Sequence, residues 1–129
     1  MYEENRLQKL KLNEASKLAQ ETTDVNVIIE LSKHSNPLVR KRSLIQMCPC
    51  RVKEDIEKFW ERVFEMKNDE DALVRAQVLH TLCDGSPKHM EQKVYEALDQ
   101  FNRDSDTEIR RKAHKVLSNY NKTGKWNIL

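Results

Sequence analysis

The stretch "EDALVRAQVL" (residues 70–79) has two near-copies in the same chain, "SNPLVRKRSL" (35–44) and "SDTEIRRKAH" (105–114). Their arginines, Arg40, Arg75 and Arg110, stand 35 residues apart, and the same shift aligns much more. Val39, Val74 and Ile109 precede the arginines, and Asn36, Asp71 and Asp106 lie four positions before them. Ser43, Val78 and Ala113 follow, then Met47, Leu82 and Leu117. Upstream, the step continues through Ile28, Val63 and Leu98 and through Leu31, Met66 and Phe101. An ungapped register of this kind marks internal repetition.

Each repeat holds two helical patterns. In the second, the apolar columns fall at i, i+4 and i+8 (Val74, Val78, Leu82), one stripe of an amphipathic helix. Asn36, Asp71 and Asp106 are short acceptors suited to cap its free N–H groups, and Pro37 suits a first helical position. The first helix carries the other stripe, in "VIIEL" (27–31), "FWERVFEM" (59–66) and "VYEALDQF" (94–101). Between repeats, Asp84-Gly85 suits a turn, and Ser86-Pro87 reads as a cap followed by a first-turn proline. One such hairpin cannot bury both stripes, whereas stacked hairpins share a core. The expectation is an all-α fold, an α-solenoid of stacked antiparallel helix pairs. One domain, 1–129, would comprise an N-terminal capping helix (1–23, helical over 5–20), repeats at 24–52, 53–87 and 88–121, and a C-terminal tail (122–129) that folds back over the last repeat.

"DALVRAQVLHTL" (71–82) and "DTEIRRKAHKVL" (106–117) resemble the second helix of HEAT repeats, and "NPLVRKRSLIQM" (36–47) follows with Asn for Asp. The resemblance covers residues 24–118 and is specific for fold. It implies a structural ladder in which Asn36, Asp71 and Asp106 cap their helices. Arg40, Arg75 and Arg110 would bond to the acid or turn of a neighbouring repeat; the alternative is a row of ligand-binding arginines. It also implies that second helices line a concave side, where a partner would meet Lys41, Arg42, Ile45, Gln77, His80, Arg111, Lys112 and Lys115.

The charges are segregated although the net charge is only +2. Residues 38–53 hold Arg40, Lys41, Arg42, Arg51 and Lys53 without an acid, and residues 108–125 hold six bases against Glu108. Residues 54–71 reverse this, with eight acids against Lys58, Arg62 and Lys67. The second-helix face is therefore expected to be basic, a surface for acidic or phosphorylated protein segments or for nucleic-acid backbone. The same charges would also serve a merely solvated face. Ile45, with Leu38 and Leu73 nearby in the pattern, could supply the apolar middle of a polar-rimmed contact.

Three cysteines in 129 residues argue against a disulfide framework and for a reducing compartment, read here as the cytosol. Cys48, Cys50, His80 and Cys83 are the ligand types of a zinc site, but the spacing of neighbouring helices is unfavourable, and buried free thiols are the simpler reading. Two isolated glycines make no phosphate-binding loop, and no nucleophile elbow or Cys–His arrangement is visible. The start "MYEENRLQKLK" has no apolar segment behind its charges, and no run spans a bilayer. The expected function is a non-enzymatic protein-interaction module with no cofactor and no membrane partner, binding an acidic segment. The alternatives are nucleic-acid binding, as in HEAT-like DNA glycosylases, and an accessory role to a protein-modifying enzyme, for which Cys50 would be a reactive thiol.

Overall fold

The computed structural model describes residues 7–22, 24–46 and 57–126, and every regular element among them is helical. In order these are α1 (Leu12–Glu21), α2 (Val25–Leu31), α3 (Pro37–Gln46), α4 (Glu57–Glu65), α5 (Ala72–Gly85), α6 (Glu91–Phe101) and α7 (Thr107–Thr123). Short 3₁₀ turns at Met66–Asn68 and Lys88–Met90 follow α4 and precede α6. The chain divides into two compact units, residues 1–54 with α1–α3 and residues 55–129 with α4–α7.

In the first unit α1 packs chiefly along α3, with α2 against both. The core gathers Leu7, Ala15, Ala19, Leu31 and Val39, with Leu10, Leu18 and Val27 against it. The small pair Ala15 and Ala19, at i and i+4, is the buried face of α1. The helix expected over 5–20 is interrupted: residues 7–8 are helical, the chain leaves helical geometry at 9–11, and α1 begins at Leu12. The break turns the Leu10 carbonyl out of the helical ladder, where the His34 ring meets it at 2.6 Å.

In the second unit α4 and its 3₁₀ turn pack on α5, α6 packs on α7, and α5 also meets α7. Phe59 sets its ring edge-on to Trp60 at 5.2 Å, and Val63, Met66, Val94, Ala97, Leu98 and Phe101 complete the buried row of the first helices. The seam between repeats differs in detail from the turn expected at Asp84-Gly85. Helix α5 runs through both residues and ends at Ser86, whose backbone is extended (ψ 147°). Pro87 is the cause, because its ring excludes helical geometry from the residue before it. Pro87 then precedes the 3₁₀ turn, its carbonyl accepting from Met90 N–H, instead of opening α6. The glycine that does use its conformational freedom is Gly124 (φ 74°), which closes α7 with an N–H bond to the Tyr120 carbonyl.

The 35-residue register maps directly onto burial. Every described member of the apolar columns is buried, from Val39, Val74 and Ile109 to Leu31, Met66 and Phe101. Ser43 occupies the fully buried column of Val78 and Ala113, and its hydroxyl is satisfied by the Arg40 carbonyl at 2.6 Å. Met47 lies outside the described residues; its column mates Leu82 and Leu117 are buried. Truncating Leu82 to Ala should cost about 2–5 kcal/mol through the cavity left behind, and Val78→Ala less. Urea denaturation measures both, and an unchanged midpoint for Leu82→Ala would refute the packing described.

Turn staples and a candidate interaction surface

Between the two helices of each repeat stands one residue that carries three bonds: His34, Asp69 or Asp104, again 35 apart. Its backbone N–H donates to the carbonyl three residues back, that of Leu31, Met66 or Phe101, at 3.0–3.1 Å. Its side chain accepts the N–H of the residue two ahead: His34 Nδ1 from Asn36 (3.0 Å), Asp69 Oδ1 from Asp71 (2.9 Å), Asp104 Oδ1 from Asp106 (2.8 Å). Its carbonyl accepts from the arginine six residues ahead: Arg40 (2.9 Å), Arg75 (2.8 Å) and Arg110 (2.6 Å). The caps complete the turn. Asn36 and Asp71 accept from the N–H groups of Leu38 and Leu73, and Asp106 accepts from that of Ile109.

The repeated arginines thus bond first to the turn of their own repeat. Arg40, buried in the first unit, also reaches the Ser35 carbonyl. Arg75 makes a second tie, to the next repeat: its Nε and Nη2 hold both oxygens of Asp104 at 2.9 and 3.0 Å. That acid belongs to the turn; the capping acid of the same repeat is Asp106. Both side chains are largely shielded, so water screens the pair little. Burial pushes the Asp104 carboxyl up. The Arg75 fork, the Asp106 N–H and the charges of Arg75 and Arg110 outweigh it and hold the group below its ordinary range. The bond from Asp104 in turn raises the Arg75 guanidinium.

His34 does with an imidazole what the aspartates do with a carboxylate. A backbone N–H aimed at Nδ1 requires a bare nitrogen there, so Nε2 carries the proton and donates to the Leu10 carbonyl. One ring therefore fixes the turn after α2 and the chain break before α1.

Of the surface residues expected to meet a partner, Arg42 and Ile45 on α3, His80 on α5 and Arg111, Lys112 and Lys115 on α7 are exposed. Lys41 and Gln77 are half-buried, and Gln77 bonds to Thr81 at 3.3 Å. Arg111 pairs with Glu108 at 2.8 Å. Leu38 and Leu73, one repeat apart, are 47% and 54% exposed at the starts of α3 and α5. In the first unit, Leu38 and Arg42 face Leu12, Asn13, Ser16, Lys17 and Gln20 of α1 across an open groove of about 290 Å³. Its walls are apolar, neutral polar and basic, with no acid.

The cysteine cluster does not assemble among the described residues: Cys83 is buried, His80 on the same helix is exposed, and no metal-sized group of ligands occurs. Cys48 and Cys50 lie outside the described residues. Burial, helped by Asp84, pushes the Cys83 thiol up to about 12. At the end of α7, Trp126 stacks on Tyr120 (3.8 Å, 13°), and Tyr120 meets Tyr95 at 6.0 Å and donates to Glu91. The Glu91 bond raises the phenol's pKa.

The exposed columns followed from the helical period. The turn residue was missed, though Asp69 and Asp104 share the 35-residue step; His34 hid the column, because an imidazole does not resemble a carboxylate on paper. Comparison with known proteins finds no family model, no curated protein and no solved structure that matches the chain.

Asp104→Asn should cost roughly 1.5–3 kcal/mol by removing a charge-assisted fork. The folded carboxyl titrates below the unfolded one, so its contribution is complete above the ordinary value of about 3.9 and is lost as pH falls through the depressed folded value. Urea midpoints measured from neutral to acid pH should therefore fall less steeply in the Asn variant. Cys83 should resist maleimide in the native protein and react once it is unfolded, as peptide mapping would show; native labelling would contradict the burial.

Proposed function

We propose that the protein is a non-enzymatic protein-interaction module of HEAT-like α-solenoid type that acts in the cytosol. It binds an acidic or phosphorylated protein segment on its basic second-helix residues. One observation carries the reading: among the described residues Arg42, Lys112 and Lys115 are exposed and make no ion pair, while the repeated arginines beside them are committed to their own turns. Exposed cations without internal partners lose little on meeting an incoming carboxylate or phosphate, and they accelerate its encounter. Ile45 and Leu38 on α3 add apolar surface near Arg42 for contacts that charge alone does not supply.

The test is fluorescence anisotropy with a labelled peptide of alternating glutamate and phosphoserine, beside a labelled single-stranded oligonucleotide of the same length. The peptide should bind the wild type. Reversing charge at Arg42, Lys112 and Lys115 together should abolish binding while leaving the helical circular dichroism intact. Peptide binding that survives the triple reversal refutes the assignment. Tighter binding of the oligonucleotide, with a steep loss in salt, would transfer the surface to nucleic acid.

A further inference from the structure

The Arg75 guanidinium serves two hairpins at once, donating Nη1 to its own Asp69 carbonyl and gripping the Asp104 carboxylate of the following turn with Nε and Nη2. Arg110 begins in the same way. Its Nη1 is fixed by the Asp104 carbonyl at 2.6 Å, the same bond one repeat later. The carboxylate is what differs: among the described residues Arg110 makes no ion pair, and its Nη2 rests on the Thr107 hydroxyl at 3.1 Å. Two further columns change character at this end of the second unit. Leu79 is buried and His114 exposed; Trp60 is buried and Tyr95 exposed. Of these positions Tyr95 meets the Tyr120 ring of α7, at 6.0 Å, and His114 stays exposed.

The geometry points to Arg110 as a docking point for the acidic turn of a different protein, a helical hairpin bearing an Asp-x-Asp turn like Asp104-Ser105-Asp106. The incoming first aspartate would take the place on Arg110 that Asp104 takes on Arg75. The guanidinium is already oriented by its carbonyl bond, so a fork onto a carboxylate requires little further ordering. A second copy of this chain is not the occupant. Stacked head to tail it would present its first turn, where His34 replaces the acid and both ring nitrogens are already bonded. That turn offers no carboxylate.

The experiment follows the arginine Nε–H signals of the ¹⁵N-labelled full chain during titration with acetyl-Asp-Ser-Asp-Thr-amide. The Arg110 signal should shift saturably at millimolar peptide, and the Arg75 signal, already occupied, should not. Replacing the first Asp of the peptide by Asn should weaken the response roughly tenfold or more. Reversing Lys112 and Lys115 should leave the response in place, which separates this site from the basic surface proposed above. An Arg110 signal that stays still, that responds equally to the Asn peptide, or that is silenced by the lysine reversal overturns the proposal.

Discussion

A guanidinium bonded to the carbonyl of its own turn is the constraint on which the remaining structure depends. Two helices meet at each turn, and their free carbonyls and N–H groups must find partners or cost about 1–3 kcal/mol apiece where buried. An arginine at the fourth position of the second helix, six residues after the turn residue, has the reach to satisfy that residue's carbonyl, and its positive charge strengthens the bond. A side-chain acceptor on the same turn residue takes an N–H group, and the capping Asn or Asp takes another. With the turn fixed at both ends, the angle between the helices follows. The apolar stripes then face each other instead of water, and the burial of Val74, Val78 and Leu82 depends on the polar work done a few residues away.

Much of this was legible in the amino-acid sequence because it repeats. A column such as Val39, Val74 and Ile109 declares itself three times, and the helical period then says which face it occupies. The caps were legible for the same reason, since Asn and Asp are interchangeable as acceptors. What the register did not disclose is chemistry that changes residue type while keeping its role. His34, Asp69 and Asp104 share one set of bonds, but only two of them look alike. The interruption before α1 was hidden too, because helical propensity is local and the carbonyl of Leu10 is claimed by a ring 24 residues away. At the seam after α5, Pro87 outranked Asp84-Gly85 as the breaker. A ring that forbids helical backbone acts more strongly than a glycine that merely permits others.

The surface was legible in a weaker sense. Periodicity predicts which side chains point outward, and Arg42, Lys112 and Lys115 do. It does not predict which outward charges are already spent on a neighbour. Arg111 looked equivalent to Lys112 until Glu108 was seen beside it, and Arg75 looked equivalent to Arg110 until Asp104 was. Pairing is a property of three dimensions, and it separates the cations available to a partner from those that are not.

Both tryptophans, Trp60 and Trp126, belong to the second unit, and the first unit's aromatic residues are limited to Tyr2. Trp60 sits in the core beside Phe59, and Trp126 lies flat on Tyr120 at the end of α7. Intrinsic tryptophan emission is therefore a private reporter of residues 55–129, with one probe for the interior and one for the rim. Far-ultraviolet dichroism, in contrast, sums the helices of both units. Any gap between the two optical transitions during denaturation is a direct reading of how far the two halves of the chain melt as one.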